Sequence, residues 1–336
     1  FDGRFEWAPR ASRPRMSAAV TIDDWQPVGR ARIWAKRPQE IYAINDNGSE
    51  QFAFQPYGDG FVVPDEFPEH APKPESDPNP ILRSLASITR TDVLLVGLTN
   101  DVRQTKLNFT PLAIGRRAAW YSFGFFLRSA AAKRLDIDVN ELRVGLRTYR
   151  EADDSIGAEV FLADTLQNGA GYASFLGTPD EFGRLLDYML YNGKDGYQMA
   201  TAQHQHECDS ACYDCLKDYS NMVYHGLLDW RLAMDMARFA RDGIPPDLFS
   251  GHWRGMAEKH IRSFCQAFAW KPAEYGGLLC AEASDWGEVV IPFHPLWNDD
   301  IHHLVPSLAT AIASVEDKGF KPRLADLFNL ARRPAQ

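Results

Sequence analysis

Cysteine is scarce in this chain, with five in 336 residues. A small secreted domain stapled by disulfides needs an even and spread set of cysteines. The odd, crowded set here excludes that framework and points to a reducing, cytoplasmic setting. Long apolar runs are missing too. The longest, around Trp120 to Leu127, is far shorter than the roughly 20 residues that cross a bilayer, so no membrane partner is expected. No secretory signal precedes Phe1 and no Met opens the chain, which suggests that an N-terminal part lies elsewhere.

Positive charge is in deficit. A formal net charge of -9 excludes a uniformly basic nucleic-acid surface and leaves only local patches such as Arg116-Arg117 or Arg332-Arg333. Catalytic signatures are absent as well. The nearest approach to a phosphate-binding G-x-x-x-x-G-K-[ST] loop, Gly177 to Gly183, has the wrong spacing and is followed by Arg184. Neither G-x-S-x-G nor H-E-x-x-H occurs. The chain alone is therefore expected to be no enzyme.

What is present is a globular composition, 45% hydrophobic and 24% charged, enough for a sizeable core. The fold class expected is mixed α/β, a sheet covered by helices with a clipped loop, plus a small β-rich N-terminal segment. Residues 1–63 form that segment. Ile41 to Ile44 and Gln51 to Phe54 alternate around "NDNG" and predict two strands joined by a tight hairpin turn; the sequon at Asn47 is then only part of that turn. Residues 64–80 hold six prolines and five acidic side chains and predict an extended linker.

Residues 81–245 form the central unit and 246–336 a C-terminal α/β extension. "TDVLLVGL" (Thr91 to Leu98) is a continuous apolar strand of the buried kind. Ala118 to Leu135 is an apolar helix with Lys133 and Arg134 in its last turn, and "ELRVGLRTY" and "GAEVFLAD" are strands. Thr178-Pro179-Asp180-Glu181 spells a capping box opening a helix that stops near Gly193. Met222, Val223, Leu227, Trp230, Met234 and Ala237 recur at helical steps and predict one long helix from Tyr219 to Arg241. Further helices are expected from Trp253 to Trp270 and from Val305, with strands near Gly277 to Cys280 and Glu288 to Phe293.

Three of the five cysteines lie together in "HQHECDSACYDC", His204 to Cys215. Cys208-x3-Cys212-x2-Cys215 gathers three thiolates in one loop, and tetrahedral zinc requires a fourth donor at roughly 2.0 to 2.3 Å. His204 and His206 both satisfy the spacing. Incidental core thiols would sit among apolar neighbours, whereas Asp209, Ser210, Asp214 and Lys217 make this segment polar. A redox Cys212-x-x-Cys215 lacks the surrounding thioredoxin-like pattern. A catalytic zinc would keep one position for water, but the H-x-E of zinc deaminases is missing. The spacing thus favours a closed, structural zinc.

Other stretches carry a functional and a plain reading side by side. "DTLQNGAGY" (Asp164 to Tyr172) either presents glycine-rich backbone N–H groups to a phosphate or is a tight strand-to-helix turn. His225 and Asp229, four residues apart, read either as a second metal site or, favoured, as a satisfied structural histidine and its neighbour. Cys265 and Cys280 are core thiols.

The order "TDVLLVGL", "AAWYSFGFFLRSAAAKRLDIDVNELRVGL", "VFLADTLQNGAGY" and "HQHECDSACYDCLKDYSNMVYHGLLDWRLAMDMA" resembles the MrfA-type zinc-binding domain over roughly Ser87 to Arg241. That domain ends large superfamily 2 DNA helicases and occurs in the DrmB component of the DISARM anti-phage system. In the family four side chains, mostly cysteines, hold a structural zinc. Cys208, Cys212 and Cys215 match, and a histidine stands first here.

The resemblance implies an accessory module of a DNA helicase or translocase assembly in anti-phage defence. Its partners would be DNA and an ATPase motor, in cis or in trans. Lys217 and Tyr219, directly after the clip, are candidate nucleic-acid contacts as a point charge and a stacking face. The rival reading is a self-contained zinc-dependent hydrolase or nuclease.

Overall fold

The computed structural model describes residues 5–9, 24–45, 51–57, 60–62, 80–151, 154–191, 202–249 and 251–332. Strands dominate the first part: β1 (Phe5–Pro9), β2 (Gln26–Val28), β3 (Ala31–Asn45), β4 (Phe52–Tyr57), β5 (Gly60–Val62), β6 (Ile81–Arg83) and β7 (Leu85–Leu98). Helices α1 (Val102–Thr105) and α2 (Ile114–Leu135) lead to β8 (Leu142–Arg150) and β9 (Ile156–Asp164). Then come α3 (Tyr172–Leu176), α4 (Pro179–Leu190), α5 (Ala202–Glu207), α6 (Trp230–Asp242) and α7 (Gly251–Phe268). The last elements are β10 (Lys271–Tyr275), β11 (Leu278–Ala283), β12 (Glu288–Phe293), α8 (Pro306–Asp317), β13 (Lys321–Asp326) and α9 (Leu327–Arg332).

The main sheet runs in the order β1-β3-β7-β9-β8, with β2 also on β3, and all of these pairs are antiparallel. β7 is a continuous apolar run because both of its faces are covered. Val93 and Leu95 join Ile41, Phe161 and Ala163 on one face. Leu94 and Val96 face the helices in the main core. A second sheet, β10-β11-β12-β13, closes with a parallel pair whose strands are joined through α8. The architecture is mixed α/β, as the strand and helix pattern implies.

α2 is the central helix, buried nearly all round. It lies directly on β8 and β9 because residue 124 is glycine: a Cβ there would meet Val144 Cγ1 at 2.8 Å and Val160 Cγ1 at 3.2 Å. α4 and α6 complete the helical layer. Behind α6, Asp235 Oδ2 accepts hydrogen bonds from Trp253 Nε1 at 2.6 Å and from His294 Nε2 at 3.1 Å. This satisfied polar knot ties α6 to α7 and to the residue after β12. At the far end of the chain, Arg332 on α9 donates to Asp229 Oδ2 and to the Leu228 carbonyl, both at 3.2 Å.

Several local expectations are corrected. The segments around "NDNG" are strands but do not pair with each other: residues 41–45 of β3 are flanked by β1 and β7, while β4 pairs β5 and β6. Both edges of β3 are occupied, so no hairpin can form; the turn itself and the proline-rich stretch to residue 79 lie outside the described residues. The capping box at Thr178 is not made, because the Glu181 carboxylate is held by Arg134 and Arg184. Pro179 still opens the helix. Arg116 is no surface patch either. It is buried and paired with Asp299 at 2.6 Å, and Arg333 lies outside the described residues.

The long helix from Tyr219 to Arg241 is in fact two elements. A short 3-10 turn, Tyr219–Tyr224, is capped by Asp218 in a reciprocal box with Asn221. α6 then starts afresh, its Asp229 side chain accepting from Arg231 N at 3.0 Å. Two good N-caps eleven residues apart outweigh an apolar period that could continue through them. His225 accordingly faces Asn221 Oδ1, at 2.8 Å, rather than Asp229.

Candidate metal centre

α5 ends at Glu207, and its last turn sets His204 and Cys208 on one side, with the Cys208 N–H donating to the His204 carbonyl at 2.9 Å. The chain then turns back on itself. The Cys212 carbonyl accepts from the backbone N–H of Cys215, Leu216 and Lys217 at 3.2, 3.2 and 2.9 Å. That turn folds Cys215 under Cys212, whose own N–H donates to Cys215 Sγ at 3.1 Å.

Four donors converge as a result. Sγ of Cys208 lies 3.9 Å from Sγ of Cys215, Sγ of Cys212 lies 3.6 Å from Sγ of Cys215, and Nε2 of His204 lies 3.5 Å from Sγ of Cys212. All four atoms fall within 4.8 Å of one another. Zn–S bonds of about 2.3 Å and Zn–N bonds of about 2.0 Å at tetrahedral angles put sulfurs about 3.8 Å apart and nitrogen about 3.5 Å from sulfur. The donor set fits zinc on spacing and on chemistry. His204 is buried within the group, whereas His206 is exposed and outside it.

The electrostatics describe the same need. Cys208 is pushed down to about 4, chiefly by the Cys215 thiol donating to it, with His204 and Cys212 adding. The Cys215 thiol is pushed up as that donor and by burial, and burial pushes Cys212 up. Cys208, Cys212 and Cys215 would hold a dication as thiolates, and its charge would offset theirs.

The loop is bolted at both ends. Trp230, the first residue of α6, donates its Nε1–H to the Cys208 carbonyl and its backbone N–H to the Ser210 carbonyl, each at 2.8 Å. Its ring meets the edge of His204 at 5.9 Å. Arg231 donates to the Asp209 carbonyl at 2.5 Å. At the other end buried Arg128 of α2 pairs with Asp218 and donates to Ser220 Oγ at 3.1 Å. Arg128 could have been picked out as the one cation in the apolar stretch from Ala118 to Ala132. The roles of Trp230 and Arg231 could not, since periodicity marks them only as helical.

Lys217 is half-buried, and Tyr219 is 84% exposed on the 3-10 turn rather than at the head of a long helix. Tyr213, which the spacing argument passed over, is 60% exposed inside the Cys212–Cys215 turn. The glycine-rich loop after β9 holds no free cradle. The Asp164 carboxylate accepts from the backbone N–H of Ala170, Gly171, Tyr172 and Ala173 at 2.7, 2.7, 3.1 and 2.9 Å. It is the plain strand-to-helix turn, filled by its own anion. Cys265 and Cys280 are buried thiols, as expected.

Fold and site together define an α/β module with a three-cysteine, one-histidine cluster that could hold a metal ion. No family model matches the chain. Over 163 residues, 47% of this chain, it is 32% identical to Druantia protein DruE of Escherichia coli (strain UMEA 4076-1), and the match spans 8% of that protein. Among solved structures it is similar to the DUF1998 helicase MrfA bound to DNA, at 12% identity over 65% of this chain and 23% of that one, with a TM-score of 0.34. The second comparison bears the name of the MrfA-type resemblance carried by the motifs, at a TM-score too low to bear further argument.

Proposed function

We propose that this chain is a structural-zinc accessory module of a DNA helicase or translocase assembly in bacterial anti-phage defence, DISARM-like in the resemblance of its motifs. The module comprises residues 81–245, with 1–63 and 246–336 as flanking units. The observation that carries the reading is the fourth protein donor. His204 occupies the position that a hydrolytic zinc keeps for water, which speaks for a closed, structural site and against the self-contained hydrolase or nuclease. Similarity to a Druantia protein over 47% of the chain supports the setting.

Cys208, Cys212, Cys215 and His204 would hold the metal, which when bound supplies order to a loop too polar to fold by burial. The module itself would bind and orient; an ATPase motor, in cis or in trans, would do the work on DNA. Lys217 and Tyr219 remain the candidate DNA contacts. Elemental analysis of the purified chain tests the core of the reading: one zinc per chain is expected, lost in Cys212→Ser. A chain without zinc, or metal-dependent DNA cleavage by the contaminant-free chain that Cys212→Ser abolishes without loss of fold, overturns it.

A further inference from the structure

Beside the cysteine turn the surface is aromatic where a solvated loop would be polar. Tyr213 and Tyr219 are 60% and 84% exposed, with ring centroids 5.7 Å apart and planes inclined by 42°. His225 stands edge-on to Tyr213 at 5.8 Å and 84°, and its Nε2 is fixed by Asn221 Oδ1 and the Asp218 carbonyl at 2.8 and 3.1 Å. Neither ring sits on a wandering segment. Tyr213 lies between Cys212 and Cys215, and Tyr219 opens the 3-10 turn that Asp218 caps.

Among Arg128, Asp214, Lys217 and Asp218 the formal charges cancel, whereas the chain as a whole carries -9. Asp218 is neutralised by Arg128. Lys217, close enough to His225 to act on it electrostatically, has no ion-pair partner among the described residues. Asp214, exposed on the same turn, repels a second phosphate.

We infer that Tyr213 and Tyr219 form a stacking platform for unpaired bases of a single-stranded nucleic acid, with Lys217 meeting one phosphate. This rests on the DNA-engagement part of the proposed function and deepens it to a strand type. Exposed rings stack on the face of any base without reading sequence, and a duplex hides those faces. A lone ammonium and a nearby carboxylate leave little for the phosphate backbone, so stacking should dominate over charge.

The test is fluorescence anisotropy of a labelled oligothymidylate, and of a blunt duplex of equal length, titrated with the zinc-loaded full chain. Tyr213→Ala and Tyr219→Ala should each weaken the single strand by about fivefold or more, while the Phe variants bind like the parent. Lys217→Ala should reduce the slope of log affinity against log salt by about 0.7, one phosphate on a single strand. Elemental analysis of each variant separates lost contact from lost fold.

If both Ala variants keep zinc and bind the oligothymidylate like the parent, the platform is overturned and the rings are a protein contact, while DNA engagement elsewhere survives. Duplex bound as tightly as single strand, with equal losses in the variants, overturns the preference for unpaired bases. A parent chain that binds neither probe overturns the DNA-engagement reading and the platform with it.

Discussion

Residues 164–173 and 204–217 are both polar loops in which several groups converge on one point, and they differ in what fills it. In the first, four backbone N–H groups meet the carboxylate of Asp164, from the strand that leads into the loop. In the second, three sulfurs and an imidazole nitrogen face one another across distances that suit a dication. A protein can supply its own anion to a cradle of amides. It has no side chain able to sit as a multivalent cation among thiolates. One loop is therefore filled by the chain's own carboxylate, and the other has the donors to take a cation from solution.

Removing what fills each loop is the most direct way to break the comparison, and the larger effect should fall on the cysteine side. Cys212→Ser is expected to cost several kcal/mol, against an apparent zinc-binding free energy on the order of 10 kcal/mol in small zinc domains. Denaturant unfolding with and without chelator checks it. The parent should fall to the variant's stability when chelated, and the variant should not respond.

Asp164→Ala leaves four amides without their acceptor and should cost about 2 to 4 kcal/mol, at roughly 1 kcal/mol per hydrogen bond. Zinc content should not change. A loss of zinc in this variant would show that the two loops are coupled rather than independent.

Acid separates them further. His252 packs against Trp230, the bolt of the cysteine loop, and burial pushes it down to about 4 from 6.5. The unfolded chain therefore binds its proton first, and stability should fall as pH drops from about 6.5 to about 4, by at most ~1.4 kcal/mol per pH unit. His252→Phe in zinc-free protein should flatten that limb of a stability-against-pH curve. An unchanged slope would assign it to other groups.

The smallest effect belongs to Thr178→Ala. An N-cap threonine ordinarily contributes about 1 kcal/mol, but Thr178 Oγ1 donates to the Phe175 carbonyl and makes no cap bond. A change within about 0.5 kcal/mol in thermal unfolding is expected.

What could be read in the sequence follows the range of the interactions involved. The cysteine spacing was legible because a metal site in one turn is set by neighbours in the chain, and the buried strand at Thr91 because both-sided burial leaves an unbroken apolar run. The choice between His204 and His206 was not, since it turns on which side of α5 faces Cys212. The failures are tertiary. Glu181 has a capping position by sequence and a better partner in Arg134, 47 residues away. Arg116 looks like surface charge until Asp299 is placed beside it. The break between Tyr219 and Trp230 was written in Asp218, Asn221 and Asp229, but the apolar period outvoted the caps.

The bond from Arg332 to Asp229 has a consequence for the order in which the molecule is made. Asp229 is fully buried at the head of α6, one residue before Trp230, and burial pushes its carboxyl up while Arg231 and Arg332 pull it down. During vectorial synthesis the ribosome delivers the cysteine loop and Arg231 about a hundred residues before Arg332. Until α9 emerges the carboxylate has one guanidinium instead of two, so the seat of Trp230 is unfinished. The nascent loop can gather its thiols early, but the wall behind it closes only when the last helix docks.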